Sequence, residues 1–282
     1  MNYECLICQI KSLPHRFDKY EIPRKDRNAV ASELIKKIAG IDLENSYSPE
    51  ITRDILALLK KKSTVEDPYQ KEKEESNFYL QNKYSEFQEL LRNSDDPFNL
   101  SLRLAIAGNI IDFGPAHQFD VDETIQRVLT TDFAFDHSAQ LKIEIEKART
   151  ILYLADNSGE IVLDKLFLET INHPNVWFAF RGAPVLNDAT CKEVFDIGID
   201  KTAKIISNGD DAPSTLLHRV SHEFKEVYNS ADLIISKGMG NYEGLMNESD
   251  PRLFFLLMIK CPVIAEKIGA KKGDFVVKQN VN

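Results

Sequence analysis

The stretch Tyr153–Glu169, YLADNSGEIVLDKLFLE, decides the fold. With the preceding Thr150-Ile151-Leu152 it begins as an apolar run that ends at Ala155 and reads as a buried strand. Asp156-Asn157-Ser158-Gly159 breaks the run, and an amphipathic helical pattern starts at Glu160. A strand that ends in two oxygen-bearing side chains at the start of a helix is the repeating unit of an α/β sheet.

The same unit recurs downstream. VWFAF, AKIIS and ADLIISKG are short apolar runs, each followed by a helical or turn segment. This alternation predicts a mainly parallel sheet with helices on both faces, a three-layer α/β/α sandwich over residues 148–282. Ligands of such sheets bind at the carboxyl ends of the strands, near a switch in strand order. Upstream, strand signals are missing. RNAVASELIKKIAGI, SPEITRDILALLKKK, SNFYLQNKYSEFQELLRNS and DPFNLSLRLAIAGNIIDFG all carry helical spacing, which predicts an N-terminal helical subdomain over residues 1–147. KKKSTVEDPYQKEKEES reads as a solvated connection or a helix end.

The chain has 282 residues, 43% hydrophobic and 28% charged, with a formal net charge of -9. That balance offers no basic footprint for nucleic acid or for an anionic membrane surface. MNYECLICQIK has no signal-peptide pattern, and LFFLLMI, the longest apolar run, falls far short of the roughly 20 residues of a spanning helix. A soluble, cytoplasmic protein is expected, with its oligomeric state left open. Cys5, Cys8, Cys191 and Cys261 are too few for a disulfide framework and read as reduced thiols. The Cys5–Cys8 pair supplies two ligands where a closed zinc site needs four; Cys191 and Cys261 are candidates to complete it. No histidine falls in an H-E-x-x-H pattern.

Four strand ends carry polar loops. At the first, Asp156 and Asn157 are hard oxygen donors, and Ser158-Gly159 before Glu160 lets a phosphate approach free amides at a helix start; an Asx helix cap explains the same residues. At the second, Arg181 is a candidate phosphate fork and Asp188 a third oxygen ligand, with a plain turn as the alternative. At the third, Asn208-Gly209 reads alone as a polar turn. At the fourth, Lys237 offers a point charge, and Gly238 and Gly240 permit close approach to a ligand. Four such loops in one chain point to a shared site. An all-oxygen set at Asp156, Asn157 and Asp188 suits Mg²⁺ or Mn²⁺ and metal-assisted hydrolysis of a phosphate ester.

ADNSGEIVLD, RGAPVLNDAT, ADLIISKGMGNYEGL and KCPVIAEKIG, together with CLIC and AIAGNIIDFG, resemble the metal-dependent damage-control phosphatase family, also known as domain of unknown function 89. The likeness covers nearly the whole chain and is greatest to the archaeal and bacterial branch with the N-terminal cysteine pair. It implies the α/β/α sandwich with a helical subdomain, and a divalent ion (Mn²⁺, Mg²⁺, Co²⁺ or Ni²⁺) on Asp156, Asn157 and Asp188. The implied partner is a small phosphorylated metabolite, such as a sugar phosphate or a cofactor precursor. Lys237 to Asn241 matches a substrate-binding segment, and Lys260 a phosphate-contacting lysine. Asn109 and Asp112, one helical turn apart, would reach the site from the helical half; without the resemblance they read as a helix cap near Gly114. Two other functions fit the sandwich: an S-adenosylmethionine-dependent methyltransferase, which would lack its usual glycine-rich loop, and a non-catalytic metabolite-binding protein.

Overall fold

The computed structural model describes residues 1–108 and 121–281. The first half runs through α1 (Tyr3–Lys11), α2 (Leu13–Lys19), α3 (Arg24–Ala39), α4 (Ser48–Lys62), α5 (Gln70–Asn82), α6 (Tyr84–Arg92), α7 (Pro97–Gly108), α8 (Val121–Thr130) and α9 (Ser138–Lys147). A two-residue strand, β1 (Phe135–Asp136), lies between the last two helices. Strands β2 (Ile151–Leu154), β3 (Val176–Phe180), β4 (Lys204–Ser207), β5 (Leu233–Lys237), β6 (Leu253–Met258) and β7 (Phe275–Gln279) follow. Between them come α10 (Glu160–Ile171), α11 (Cys191–Ile197), α12 (His222–Ser230), α13 (Gly238–Leu245) and α14 (Pro262–Ile268).

The seven strands are ordered β1-β7-β6-β5-β2-β3-β4. From β6 to β4 every pairing is parallel, while β7 runs antiparallel to β6. From β2 the chain steps outward to β3 and β4, then returns to place β5 on the other side of β2 and moves on to β6. Strand order therefore reverses between β2 and β5, which opens a crevice at their carboxyl ends.

Strand alternation builds the three layers. Ile151, Tyr153, Phe178, Ile235, Phe254 and Leu256 enter one apolar cluster; Leu152, Leu154, Ile234, Phe255 and Leu257 enter another on the opposite face. Helices α12, α13 and α14 cover the second face through Phe224, Tyr242 and Ile264. The first is covered by α10 and α11, and also by Leu80, Leu102 and Ile106 of α5 and α7. Side chains from the helical half thus share the sheet's own core, and each fully buried Leu or Phe there contributes roughly 1.5–3 kcal/mol.

A third cluster belongs to α2, α3 and α4, built on Phe17, Leu34, Ile55 and Leu59. It grips the loop after β3 through Val185. The α4 helix has Pro49 in its first turn and Lys60, Lys61 and Lys62 in its last, a charge order that suits the helix dipole. It is tied to the loop after β4 by Arg53 Nε to Asp211 at 2.6 Å and Lys60 Nζ to Asp211 at 3.2 Å.

Two sequence expectations change. The first half contributes β1, too short to leave an alternating pattern, as a partner for β7. The charged segment expected as a connection or a helix end closes α4 at Lys62 and enters α5 at Gln70, and one polar stripe of α5, Lys73, Ser76 and Asn77, is buried rather than solvated. Lys73 there is fully enclosed and pairs with Asp67 at 2.9 Å and Glu193 at 3.8 Å.

Candidate active site

The loop after β2 and the loop after β3 are zipped together at the crevice. Ala189 N donates to Asp156 O at 2.8 Å, Ser158 N donates to Asn187 O at 2.8 Å, and Asn157 and Asp188 face each other in an antiparallel bridge. This pairing brings Asp156, Asn157 and Asp188 side by side although 32 positions separate the first and last in sequence (188 − 156). Asp156 and Asp188 are both buried. The Asn157 Nδ2 group donates to Asp156 Oδ2 at 3.1 Å and Glu160 Oε2 at 3.3 Å. Its hydrogens are thereby occupied, and Oδ1 is left without a hydrogen bond among the described residues.

The electrostatics of this trio are unbalanced. Burial, then the Asp188 and Glu160 carboxylates, push the Asp156 carboxyl up to about 8, with Arg181 and Lys260 pulling the other way. Asp188 is raised as well, by burial, against the opposing pull of Arg181. Arg181, at the end of β3, bridges the two: its Nε donates to Asp188 Oδ2 at 2.6 Å and its Nη2 lies 3.5 Å from Asp156 Oδ1. Nη1 donates to Asn241 Oδ1 at 3.0 Å. Arg181 therefore orients the carboxylates from behind rather than presenting an open fork.

Asn241 ties the switch point shut. Its Nδ2 donates to Ala155 O at 3.0 Å and Lys237 O at 2.8 Å, joining the ends of β2 and β5, and its Oδ1 also accepts from Thr215 Oγ1 at 2.9 Å. Gly238 follows with φ 78°, and a Cβ at that position would lie 1.8 Å from Asp156 Oδ2. Only glycine allows both the backbone conformation and the approach. At Gly240 a Cβ would lie 2.4 Å from Pro213 O.

Lys237 departs from its expected place. It is fully buried, and its ammonium donates to Ala105 O at 2.8 Å, to Glu160 Oε1 and to Asp164 Oδ1 at 2.6 Å. Three donors meet three protein acceptors, so none is left for a phosphate. Glu160 is likewise drawn inward. Tyr153 OH completes the cluster with a 2.7 Å bond to Asp164 Oδ1. Burial opposes the Lys237 charge, yet Asp164 and Glu160 outweigh it and hold the ammonium above its ordinary value.

The expected anion hole is also filled by the protein. Gly159 N donates to Asn77 Oδ1 at 2.5 Å, Ser158 N to Asn187 O, and Asn157 N to Glu160 Oε2 at 3.4 Å. Asn77 comes from α5, and nothing in its charged surroundings marked it in the sequence; Thr215 lies in a loop that reads alone as a polar turn. Lys260, after β6, is half-buried, and its charge acts on Asp156. It is the expected phosphate lysine that remains available. Asn109 and Asp112 lie outside the described residues.

The four cysteines are free thiols. Cys5, Cys8 and Cys261 line one cavity beside the crevice, whereas Cys191 is exposed at the start of α11 and does not join them. Among the described residues no three His, Cys, Asp or Glu side chains gather closely enough to hold a metal ion, so the four-cysteine zinc cage is not found. A cation between Asp156 and Asp188 would be met instead by two carboxylates and the Asn157 amide oxygen. Hard donors, a surplus of buried negative charge and an unbonded oxygen fit a divalent ion. Among the described residues, no helix is long and apolar enough to cross a membrane.

A doubly wound sheet with paired carboxylates at its switch point defines an α/β protein with a crevice site. The chain matches the damage-control phosphatase ARMT1-like domain over residues 1–276, and it belongs to that family. It is 33% identical to a damage-control phosphatase of Pyrococcus horikoshii over 285 residues, covering 99% of this chain and 98% of the relative. A damage-control phosphatase of Archaeoglobus fulgidus is 32% identical over 221 residues, 76% of each chain. The crystal structure of a DUF89 family protein from Pyrococcus horikoshii superposes with a TM-score of 0.91 at 31% identity, covering 99% of each chain. The α/β fold and helical N-terminal region are those of that structure, and the names of the relatives favour phosphatase chemistry over a methyltransferase.

Proposed function

We propose that the chain is a cytoplasmic, metal-dependent phosphatase that hydrolyses phosphate monoesters of small metabolites, sugar phosphates or phosphorylated cofactor precursors. We place it in the branch with the N-terminal cysteine pair. The observation that carries this reading is the meeting of two buried, mutually repelling carboxylates with the unbonded Asn157 oxygen at the switch point. Asp156, Asn157 and Asp188 would hold Mn²⁺, Mg²⁺, Co²⁺ or Ni²⁺. When bound, such an ion supplies a Lewis acid for phosphoryl oxygens and lowers the pKa of water.

The chain's own groups do the remaining work. Arg181 fixes Asp188 and opposes the rise that burial imposes on its carboxyl, and Asn157 is oriented by the Asp156 and Glu160 carboxylates. Lys260 is the ammonium placed to pair with a phosphoryl oxygen as a compact point charge. Lys237 holds Glu160 and Asp164 in place beneath the crevice.

The test is a phosphate-release screen over sugar phosphates and cofactor precursors, each with Mn²⁺, Mg²⁺, Co²⁺ or Ni²⁺ and with chelator. Release that needs a divalent ion is expected. Equal release in chelator would end the metal assignment, and no release from any ester would leave a binding protein.

A further inference from the structure

Beside the crevice lies a chamber of about 410 Å³, within the roughly 300–1,000 Å³ of small-molecule sites. Leu186, Pro213, Met239 and Gly240 form the wall nearest the carboxylates. Gly240 borders Asp156 directly, since a Cβ there would lie 3.9 Å from Asp156 Oδ1. Leu186 belongs to the loop that carries Asp188, and it holds a left-handed backbone with φ 47°, a conformation that costs a branched side chain energy.

The opposite wall comes from the N-terminal helices and contains Arg16 and Gln9. Arg16 is 8% exposed, and its Nη1 is enclosed without a hydrogen-bond partner. No carboxylate pairs with its guanidinium among the described residues; the groups that act on it are Tyr69, Tyr20 and Cys8. Gln9 is 7% exposed; its Nε2 donates to Thr52 Oγ1 at 2.7 Å, and its Oε1 is buried without a partner. A guanidinium does not shed its charge in a protein, and a buried charge without a counter-ion is costly. The fold elsewhere pairs its buried cations, as at Lys237 and Lys73. Arg16 is left for an anion from outside.

We propose that the chamber seats the leaving group of the phosphate ester, and that Arg16 binds a second anionic group on it, a carboxylate or a second phosphate. The middle of the leaving group packs on Leu186, Pro213 and Met239, while Gln9 Oε1 accepts from a hydroxyl near the far end. Preferred substrates are therefore phosphate esters that carry a further anion, rather than neutral sugar phosphates. This rests on the phosphatase reading given above.

The experiment compares glycerol 3-phosphate, 3-phosphoglycerate and butane-1,4-diol bisphosphate with Mn²⁺, in the unmodified chain and in Arg16→Met. The unmodified chain should favour one of the two anion-bearing esters by about tenfold or more in kcat/KM, the scale of one charge-assisted hydrogen bond. Which ester wins separates a carboxylate from a phosphate. Arg16→Met should remove the preference through KM, bringing the anion-bearing esters down to the level of glycerol 3-phosphate. An equal effect on all three esters, or none, in a variant that is folded by circular dichroism overturns the inference. If Arg16→Met does not fold, Arg16→Lys keeps the charge but loses the fork; it should lose most of the preference, and full preference overturns the idea. If no ester is hydrolysed, the phosphatase reading falls, and thermal shifts with succinate and methylenebisphosphonate decide the chamber. A rise in Tm that Arg16→Met abolishes supports it, and no rise in the unmodified chain overturns it.

Discussion

Lys237, Glu160 and Asp164 form a closed cluster beneath the crevice, whereas Asp156, Asn157 and Asp188 open onto the crevice. In the closed cluster each donor of Lys237 meets an oxygen, and Tyr153 adds a bond to Asp164 Oδ1. The open trio has two carboxylates that repel each other, and Arg181 must serve both. Both groups are buried at the carboxyl edge of the sheet, so burial does not distinguish them. The bonding does: the Lys237 ammonium donates to both of its carboxylates, whereas Arg181 hydrogen-bonds Asp188 and comes only within 3.5 Å of Asp156, and the trio is where we propose that a cation binds.

The comparison breaks first at the open trio. Asp156→Ala or Asp188→Ala should remain folded yet lose divalent-ion binding, with turnover down on the order of 10²–10³-fold, as for removal of one transition-state-stabilising group. Phosphate release and metal titration check this, and full activity at saturating metal in either variant would sink the assignment. The closed cluster should respond in stability instead. Lys237→Met leaves Glu160 and Asp164 buried without their ammonium, at a cost of roughly 3–5 kcal/mol in urea unfolding. An unchanged unfolding midpoint, with substrate binding lost, would return Lys237 to the phosphate.

Glu243 sharpens the contrast, because it is a partly buried carboxyl with no close cation. Burial raises it from 4.5 to about 7, and Ser48 and Lys267 pull it back. The folded chain then keeps a proton that the unfolded chain has released, so stability falls as pH rises from 4.5 to about 7. Glu243→Gln should flatten that fall and raise Tm at pH 8 by about 2–4 °C, with little change at pH 4. A Tm difference independent of pH would show that the carboxyl does not titrate in this window. The smallest effect is expected for Cys5→Ser with Cys8→Ser. Soft thiolates suit Mg²⁺ or Mn²⁺ poorly, so metal-dependent turnover per folded molecule should persist, with Tm slightly lowered. A folded, metal-binding double variant without turnover would place the thiols in the mechanism.

Much of this was legible in the sequence, for reasons that differ by residue. The strands β2, β3, β4 and β5 are short apolar runs closed by polar loops, and their parallel pairing follows from the helices between them. Asp156 and Asn157 could be read because a strand end aims its next side chains into the crevice, and Gly238 because a Cβ there has no room. Lys237 could not. Whether a lysine at a strand end turns toward ligand or inward depends on Glu160, Asp164 and Ala105, which are 77, 73 and 132 positions away. The Gly159 amide was misread on the same account, since its acceptor, Asn77, sits in a segment whose charge pattern looks solvated.

The bond from Gly159 N to Asn77 Oδ1 spans 82 positions and crosses from the helical half to the loop that bears Asp156. Contacts of such sequence separation close late in folding, after loop-closure entropy has been overcome. During synthesis, α5 emerges from the ribosome well before the strands it must meet, and the Asp156 loop acquires its final shape only when the two halves dock. The sheet half expressed alone would expose Leu80, Leu102 and Ile106's docking face and leave the Gly159 amide to water. The crevice is therefore a product of assembly along the entire chain, and a fragment bearing every side chain of the proposed metal site should be inert.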